Sequence, residues 1–185
     1  MSDVTRILDR VQQGEGRAAE ELLPLVYDEL RKLAAAKMAQ EAPGQTLQPT
    51  ALVHEAWLRL TGSTEQQWNS RGHFFAAAAE AMRRILVENA RRKRALRHGG
   101  GCERVGLTDL ELAANSTDDQ VIEVSEALDE LAGLDARQAE MVKLRFFAGV
   151  QLKEIATLYG VSLKTVQRQW IHARAWLFER IQHGR

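Results

Sequence analysis

Apolar residues recur along this chain at intervals of three and four, almost from end to end. No long stretch alternates apolar with polar positions, so the spacing predicts helices throughout. Val4, Ile7, Leu8 and Val11 line a short helix over 3–13. Leu22, Leu23, Val26, Leu30, Leu33 and Ala34 line a longer one over about 17–40, with Pro24 held to its first turn or kinking it. Pro43-Gly44 marks a loop. Thr50, following Pro49, is placed to cap a helix over 51–61 that packs Leu52, Val53, Ala56, Trp57 and Leu60. A polar loop over 63–72 holds Trp68. A helix then runs from about His73 to Arg97, apolar in its first half (Phe74, Phe75, Ala78, Met82, Ile85, Leu86) and ending in Arg91-Arg92-Lys93-Arg94. Gly99-Gly100-Gly101 stops it, and residues 98–119 are polar and poor in aromatics, the composition of a flexible connector. A second module begins near Gln120, with Val121, Val124, Leu128 and Leu131 on one stripe. Leu134-Asp135 then introduces a helix carrying Ala139, Val142, Leu144 and Phe146, and Gly149 ends it. The expected fold is all-α: two small helical domains, 1–97 and 120–185, joined by an acidic linker at 98–119.

The last 35 residues hold the sharpest local pattern. Leu152, Ile155, Ala156 and Tyr159 give a short helix one apolar stripe; Gly160 sits at a sharp turn that a positive φ would ease, and Val161 can plug the corner. Ser162 is a natural N-cap for a following helix in which Val166, Trp170, Ala173 and Leu177 line the back. Its front carries Lys164, Thr165, Gln167, Arg168, His172 and Arg174. This is the pattern of a helix-turn-helix whose second helix enters the major groove, where such side chains meet base edges and phosphates. Gln167 and Arg168 are expected at base edges, with Ser162, Lys164 and Arg174 on phosphates. Trp170 and Trp176, at packing spacing from Val166 and Ala173, read as core.

Charge adds to this picture through its distribution, because the formal net charge is zero. Residues 83–104 carry 8 basic and 2 acidic side chains, and so do residues 141–185, +6 each; residues 105–140 carry 1 basic and 10 acidic, −9, and residues 1–82 come to −3. Two basic segments flank an acidic one, so two surfaces are suited to a polyanion. A helix C-terminus favours about two cations through its dipole. Arg83, Arg84, Arg91, Arg92, Lys93, Arg94 and Arg97 together exceed that, which favours phosphate contact. Trp68 and His73 are placed to stack on an unpaired base, while Trp68 could equally anchor its loop to the core.

Catalysis finds little support. His54-Glu55 begins a zinc-protease pattern, but the position four residues after His54 is Leu58. Glycine loops for phosphates, a nucleophile elbow and a dinucleotide fingerprint are all missing from the sequence, and His98, His172 and His183 are isolated. Cys102 is the one cysteine and reads as a free linker thiol, without disulfide or zinc. No metal or other cofactor is expected. No apolar run approaches the roughly 18 residues of a membrane span. Ser2-Asp3-Val4-Thr5-Arg6 lacks the build of a secretory signal, so a cytoplasmic, non-enzymatic protein is expected.

The residues just quoted carry a resemblance. Leu134-Asp135 through Phe146-Phe147, Glu154-Ile155-Ala156, Gly160-Val161-Ser162, Thr165-Val166 and Ala173-Arg174-Ala175 resemble the region-four module of bacterial RNA polymerase sigma factors of the extracytoplasmic-function (ECF) group. That module binds the −35 promoter element. Ala51 through Leu60 is similar to the family's region-two helix that docks on the polymerase β′ clamp. Trp68, Phe74, Phe75 and Arg83 through Arg92 resemble the segment that recognises and opens the −10 element. Ala51 and His54 stand where the family usually has an acidic residue and a Gln, Glu55 is retained, and Trp57 replaces the more usual Phe. The basic segment is also more Arg-rich than usual.

The resemblance implies a dissociable polymerase subunit. Its partners would be core RNA polymerase (β′ clamp and β flap), promoter DNA and, as for many members, an anti-sigma factor. It implies polymerase contacts at His54, Glu55, Leu58 and Arg59, −10 contacts at Trp68, His73, Arg84, Arg91, Arg92 and Arg94, and −35 contacts at Ser162, Lys164, Thr165, Gln167, Arg168 and Arg174. The rival reading is an autonomous helix-turn-helix regulator whose N-terminal part senses a ligand or dimerises. A helical adaptor that binds protein alone is a third.

Overall fold

The structure is a computed structural model that describes residues 6, 7, 10, 13, 18, 21, 24, 25, 27, 30–32, 34, 35, 48–61, 70–97 and 118–183. Among these residues there is helix and turn but no strand, as the three- and four-residue spacing predicts. The continuous helices are α1 (Pro49–Thr61), α2 (Arg71–Arg97), α3 (Asp118–Leu134), α4 (Ala136–Phe146), α5 (Leu152–Tyr159) and α6 (Leu163–His183). Of the two N-terminal stretches, Ile7, Ala18, Leu30 and Ala34 are buried. The glycine run, Cys102, Trp68 and connector residues 98–117 lie outside the described residues.

Helix starts differ in detail from expectation. Thr50 does not cap α1, because Pro49 is already its first helical residue. The proline lacks only an N–H that would have had no partner in the first turn, and its fixed φ already suits a helix. The N–H of Leu52 closes that turn on the Gln48 carbonyl at 3.0 Å. α2 starts at Arg71, two residues before His73, because the Ser70 hydroxyl accepts the His73 N–H at 3.1 Å. Asp135 caps α4, its carboxylate taking the Gln138 N–H at 2.9 Å.

α1 lays Leu52, Val53, Ala56 and Leu60 against α2, which contributes Phe74, Phe75, Ala78, Met82 and Ile85 to the same core. α3 and α4 pack on the other side of α2, and α6 closes over α3, α4 and α5. The buried residues form one connected cluster running from Ile7 to Ile181. Full burial of each Val, Leu, Ile, Phe or Met side chain among them contributes about 1.5–3 kcal/mol. Asp118 and Asp119, expected at the end of the connector, instead open α3. Asp118, Asp119, Glu123, Glu126, Asp129 and Glu130 belong to α3, Asp135 to the cap and Glu140 to α4. Among the described residues no helix is long and apolar enough to cross a membrane.

Polar contacts knit α2 to the C-terminal helices. Glu80 receives Lys143 at 2.9 Å from α4, and Arg83 and Arg84, each at 3.1 Å, from its own helix. Partial burial alone would push the Glu80 carboxyl up, but the hydrogen bonds and charges of Arg83 and Lys143 outweigh it and hold it at about 2, against an ordinary 4.5. The folded value lies below the unfolded one. The stabilisation is therefore complete above about pH 4.5 and is lost as pH falls towards 2. Glu80 is only partly sheltered from solvent, so screening reduces the contribution to about 1–2 kcal/mol. Glu80→Gln is expected to flatten the fall in urea midpoint between pH 4.5 and 3. A fall as steep as in the unsubstituted chain would remove this cluster from the acid sensitivity.

Candidate functional site

α5, its turn and α6 form the helix-turn-helix. Gly160 has φ 64°, the left-handed conformation that ends α5, and the Val161 N–H reaches back to the Ala156 carbonyl at 3.0 Å. A Cβ on Gly160 would meet nothing within 4 Å. Alanine there would thus incur only the backbone cost of that conformation, roughly 1–2 kcal/mol. The Ser162 hydroxyl accepts the Thr165 N–H at 3.1 Å and lies 2.8 Å from the Thr165 hydroxyl. Both hydroxyls are therefore engaged in capping α6, and what the cap leaves facing outward is the helix N-terminus itself, a favourable place for an anion.

Behind the turn, Tyr159 is fixed from two sides. Its hydroxyl donates to a Glu140 carboxylate oxygen at 3.0 Å, and the Arg137 guanidinium lies 4.8 Å from its ring centre. Burial first, then the neighbouring Glu140 charge, pushes the phenol well above its ordinary range, so it stays protonated as a donor. Arg137 also donates to the Tyr159 carbonyl at 3.4 Å, at the C-terminal end of α5, where a cation is favoured by the helix dipole.

α6 buries Val166, Ala173, Leu177 and Ile181. Trp170 and Trp176 are half-buried and packed against the core, as their spacing predicts. Lys164, Gln167 and Arg168 are exposed, while Thr165 and Arg174 are half-buried. Ile171, 65% exposed, shares the outer face with Lys164 and Arg168 at helical spacing. Nothing in the polar pattern singles it out; its position seven residues after Lys164 is the signal in the sequence. An apolar side chain there can meet a thymine methyl as readily as a protein surface.

The second cationic surface belongs to α2. Arg84, Arg91, Arg92 and Arg94 are exposed, and His73 is exposed at the N-terminal end of the helix. Arg84 and Arg91 share one face, interrupted by Glu88, whose carboxylate is held low by the Arg59 hydrogen bonds. Trp68, the remaining residue expected at this surface, falls outside the described residues. Arg83 departs from the sequence expectation: only 12% of its side chain is exposed, and it turns inward to Asp129 at 2.9 Å and to the Ser125 hydroxyl at 2.8 Å. Lys93 is likewise drawn to Asp118 at 3.6 Å.

On α1, His54 and Leu58 are exposed one turn apart with Ala51 beside them, and Leu58 is 55% exposed. An exposed leucine among polar neighbours gives this face an apolar centre. Arg59 donates to Glu55 at 2.8 Å and to both Glu88 oxygens at 2.7 and 3.1 Å, which ties α1 to α2 and fixes how the face is presented. The expected residues therefore fall on three surfaces: one on α1, one on α2 and one on α6.

Compared with known proteins, residues 1–183 match a family model described as ECF sigma factor. Neither a curated protein nor a solved structure matches the chain.

Proposed function

The chain belongs to the ECF sigma factor family, and from that membership we propose that it binds core RNA polymerase and directs initiation at promoters recognised through both a −10 and a −35 element. Its role is in transcription initiation, as a regulatory and non-enzymatic protein, and the family implies core polymerase and promoter DNA as partners. In the proposed division of labour, residues 1–97 dock on the polymerase and meet the −10 element, the segment before α3 connects, and the helices from α3 onward read the −35 element. The observation that carries this reading is the helix-turn-helix, with Gly160 turning, Ser162 capping, and Lys164, Gln167, Arg168 and Ile171 facing outward.

On α1, His54 and Leu58 supply the docking surface, and Glu55 acts there with Arg59, whose guanidinium holds the helix in place. On α2, His73, Arg84, Arg91, Arg92 and Arg94 approach the −10 DNA together with Trp68. On α6, Gln167 and Arg168 meet base edges. Lys164 and Arg174 meet phosphates, and Ser162 and Thr165 contribute through the capped N-terminus. An anti-sigma partner would compete for the same faces. Two modest DNA contacts joined through one polymerase gain from effective concentration, so the isolated chain need not bind promoters tightly.

Mixing the full chain with core polymerase is expected to give a complex that co-elutes on size exclusion and yields promoter-dependent run-off transcripts from a template library. A chain that binds duplex specifically by itself and ignores the polymerase would replace this reading with an autonomous regulator.

A further inference from the structure

The outer face of α6 joins two cations to one hydrocarbon side chain. Counted round the helix from buried Val166, the buried Ala173 and Leu177 lie within about 20° of it. Ile171, Lys164 and Arg168 fall at about 140°, 160° and 200°, in the sector opposite the core. All three are exposed, and Ile171 is the most exposed large apolar side chain of the helix. Three residues advance the helix axis about 4.5 Å and seven about 10.5 Å. Successive base pairs are about 3.4 Å apart. A helix lying along the groove therefore sets Ile171 over the step beside the one Arg168 reads, and about three steps from Lys164.

The two cations favour a polyanion on this face. The major groove is a polyanionic surface that also presents hydrocarbon, the C5 methyl of thymine, among its hydrogen-bonding groups. We propose that Ile171 is a specificity-determining residue of the helix-turn-helix: its side chain covers the methyl of a thymine next to the base pair that Arg168 reads, and so selects thymine over cytosine there. The inference rests on the reading of α6 as the helix that enters the −35 groove. Cytosine lacks the methyl and presents an amino group instead, a donor that isoleucine would desolvate without accepting its hydrogen bond. Uracil keeps every hydrogen-bonding group of thymine and lacks only the methyl. The contact carries no charge, so Ile171 adds selectivity without adding salt dependence, in contrast to Lys164.

The test uses the full chain with core polymerase. A duplex selected by this complex from a randomised promoter library is remade with each −35 thymine, on either strand, replaced singly by uracil, and binding is measured by competition. One replacement is expected to weaken binding about fourfold, the effect of uncovering one methyl group. At that position 5-methylcytosine should recover a similar factor over cytosine. Ile171→Ala should abolish the difference between thymine and uracil there and leave the salt slope unchanged, whereas Ile171→Val should keep most of the difference. The comparison of the two bases on the unsubstituted chain needs no variant to fold. Indifference to every uracil replacement, or an Ile171→Ala chain as sensitive to the methyl as the unsubstituted one, would overturn the proposal. So would a loss of polymerase association in Ile171→Ala with base preference intact, which would give the face to a protein. Run-off transcription separates the two failures. Transcripts from a promoter whose thymine methyls are all indifferent remove only the role of Ile171, whereas failure to select or transcribe any promoter removes the reading beneath it.

Discussion

Phe147→Ala should cost about 3–5 kcal/mol of unfolding free energy, the range for deleting a large aromatic from a packed core. Phe147 is 0% exposed and meets the Phe146 ring edge-to-face, centres 4.8 Å apart at 78°. It lies in the corner between α4 and α5, where its N–H closes on the Lys143 carbonyl at 3.0 Å and Ala148 and Val150 are buried beside it. That corner sets the angle at which the helix-turn-helix leaves α4, and neighbours fixed by their own backbone bonds cannot collapse fully into the space a ring leaves. Urea unfolding followed by circular dichroism measures the loss. Phe178→Ala, on the partly exposed side of α6, provides the comparison and should cost less than about 1 kcal/mol. Similar losses for the two would mean that the corner is not closely packed.

The second large effect concerns recognition. Arg168→Ala should weaken promoter binding by the polymerase complex by about 1–3 kcal/mol, roughly 5- to 150-fold, and should relax preference at one −35 position. The physical basis is the orientation of α6: Val166, Ala173 and Leu177 hold its back against the core, so Arg168 stands on the outer face with Lys164 and Ile171. Lys164→Ala should behave differently, lowering affinity evenly across sequences and reducing the salt slope by about 1. A library of −35 variants read by sequencing of bound DNA distinguishes the two patterns. An even loss for Arg168→Ala would move that residue to the phosphates.

The helix-turn-helix was legible because everything that makes it is local. A glycine at the turn, a serine two residues on and an apolar stripe every three or four residues are all visible within 26 residues, and the structure has the left-handed Gly160, the capping Ser162 and the buried Val166 in those places. α2 starts two residues before the His73 that the spacing predicts. Ser70 and Gly72 read as the end of a polar loop, and only the hydrogen bond to His73 makes Ser70 a cap. Ile171 carries no polar group, so the pattern of polar side chains along α6 does not single it out, although its helical spacing from Lys164 and Arg168 places it on their face.

The amino-acid order alone determined the all-helical class, the turn and cap of the helix-turn-helix, and the two basic segments. Each depends on residues a few positions apart, where helix geometry dictates which side chains share a face. Only the tertiary structure decided what those charges meet. Arg83 and Asp129 are 46 positions apart, and Glu80 and Lys143 are 63 apart; no periodicity links such partners. Asp118 and Asp119 read as the end of the connector because composition records how much charge a segment carries and not where it points. Packing α3 along α2 brought Asp118 to Lys93 and Asp129 to Arg83, since cations half-sheltered by the core are better satisfied by fixed carboxylates than left without partners.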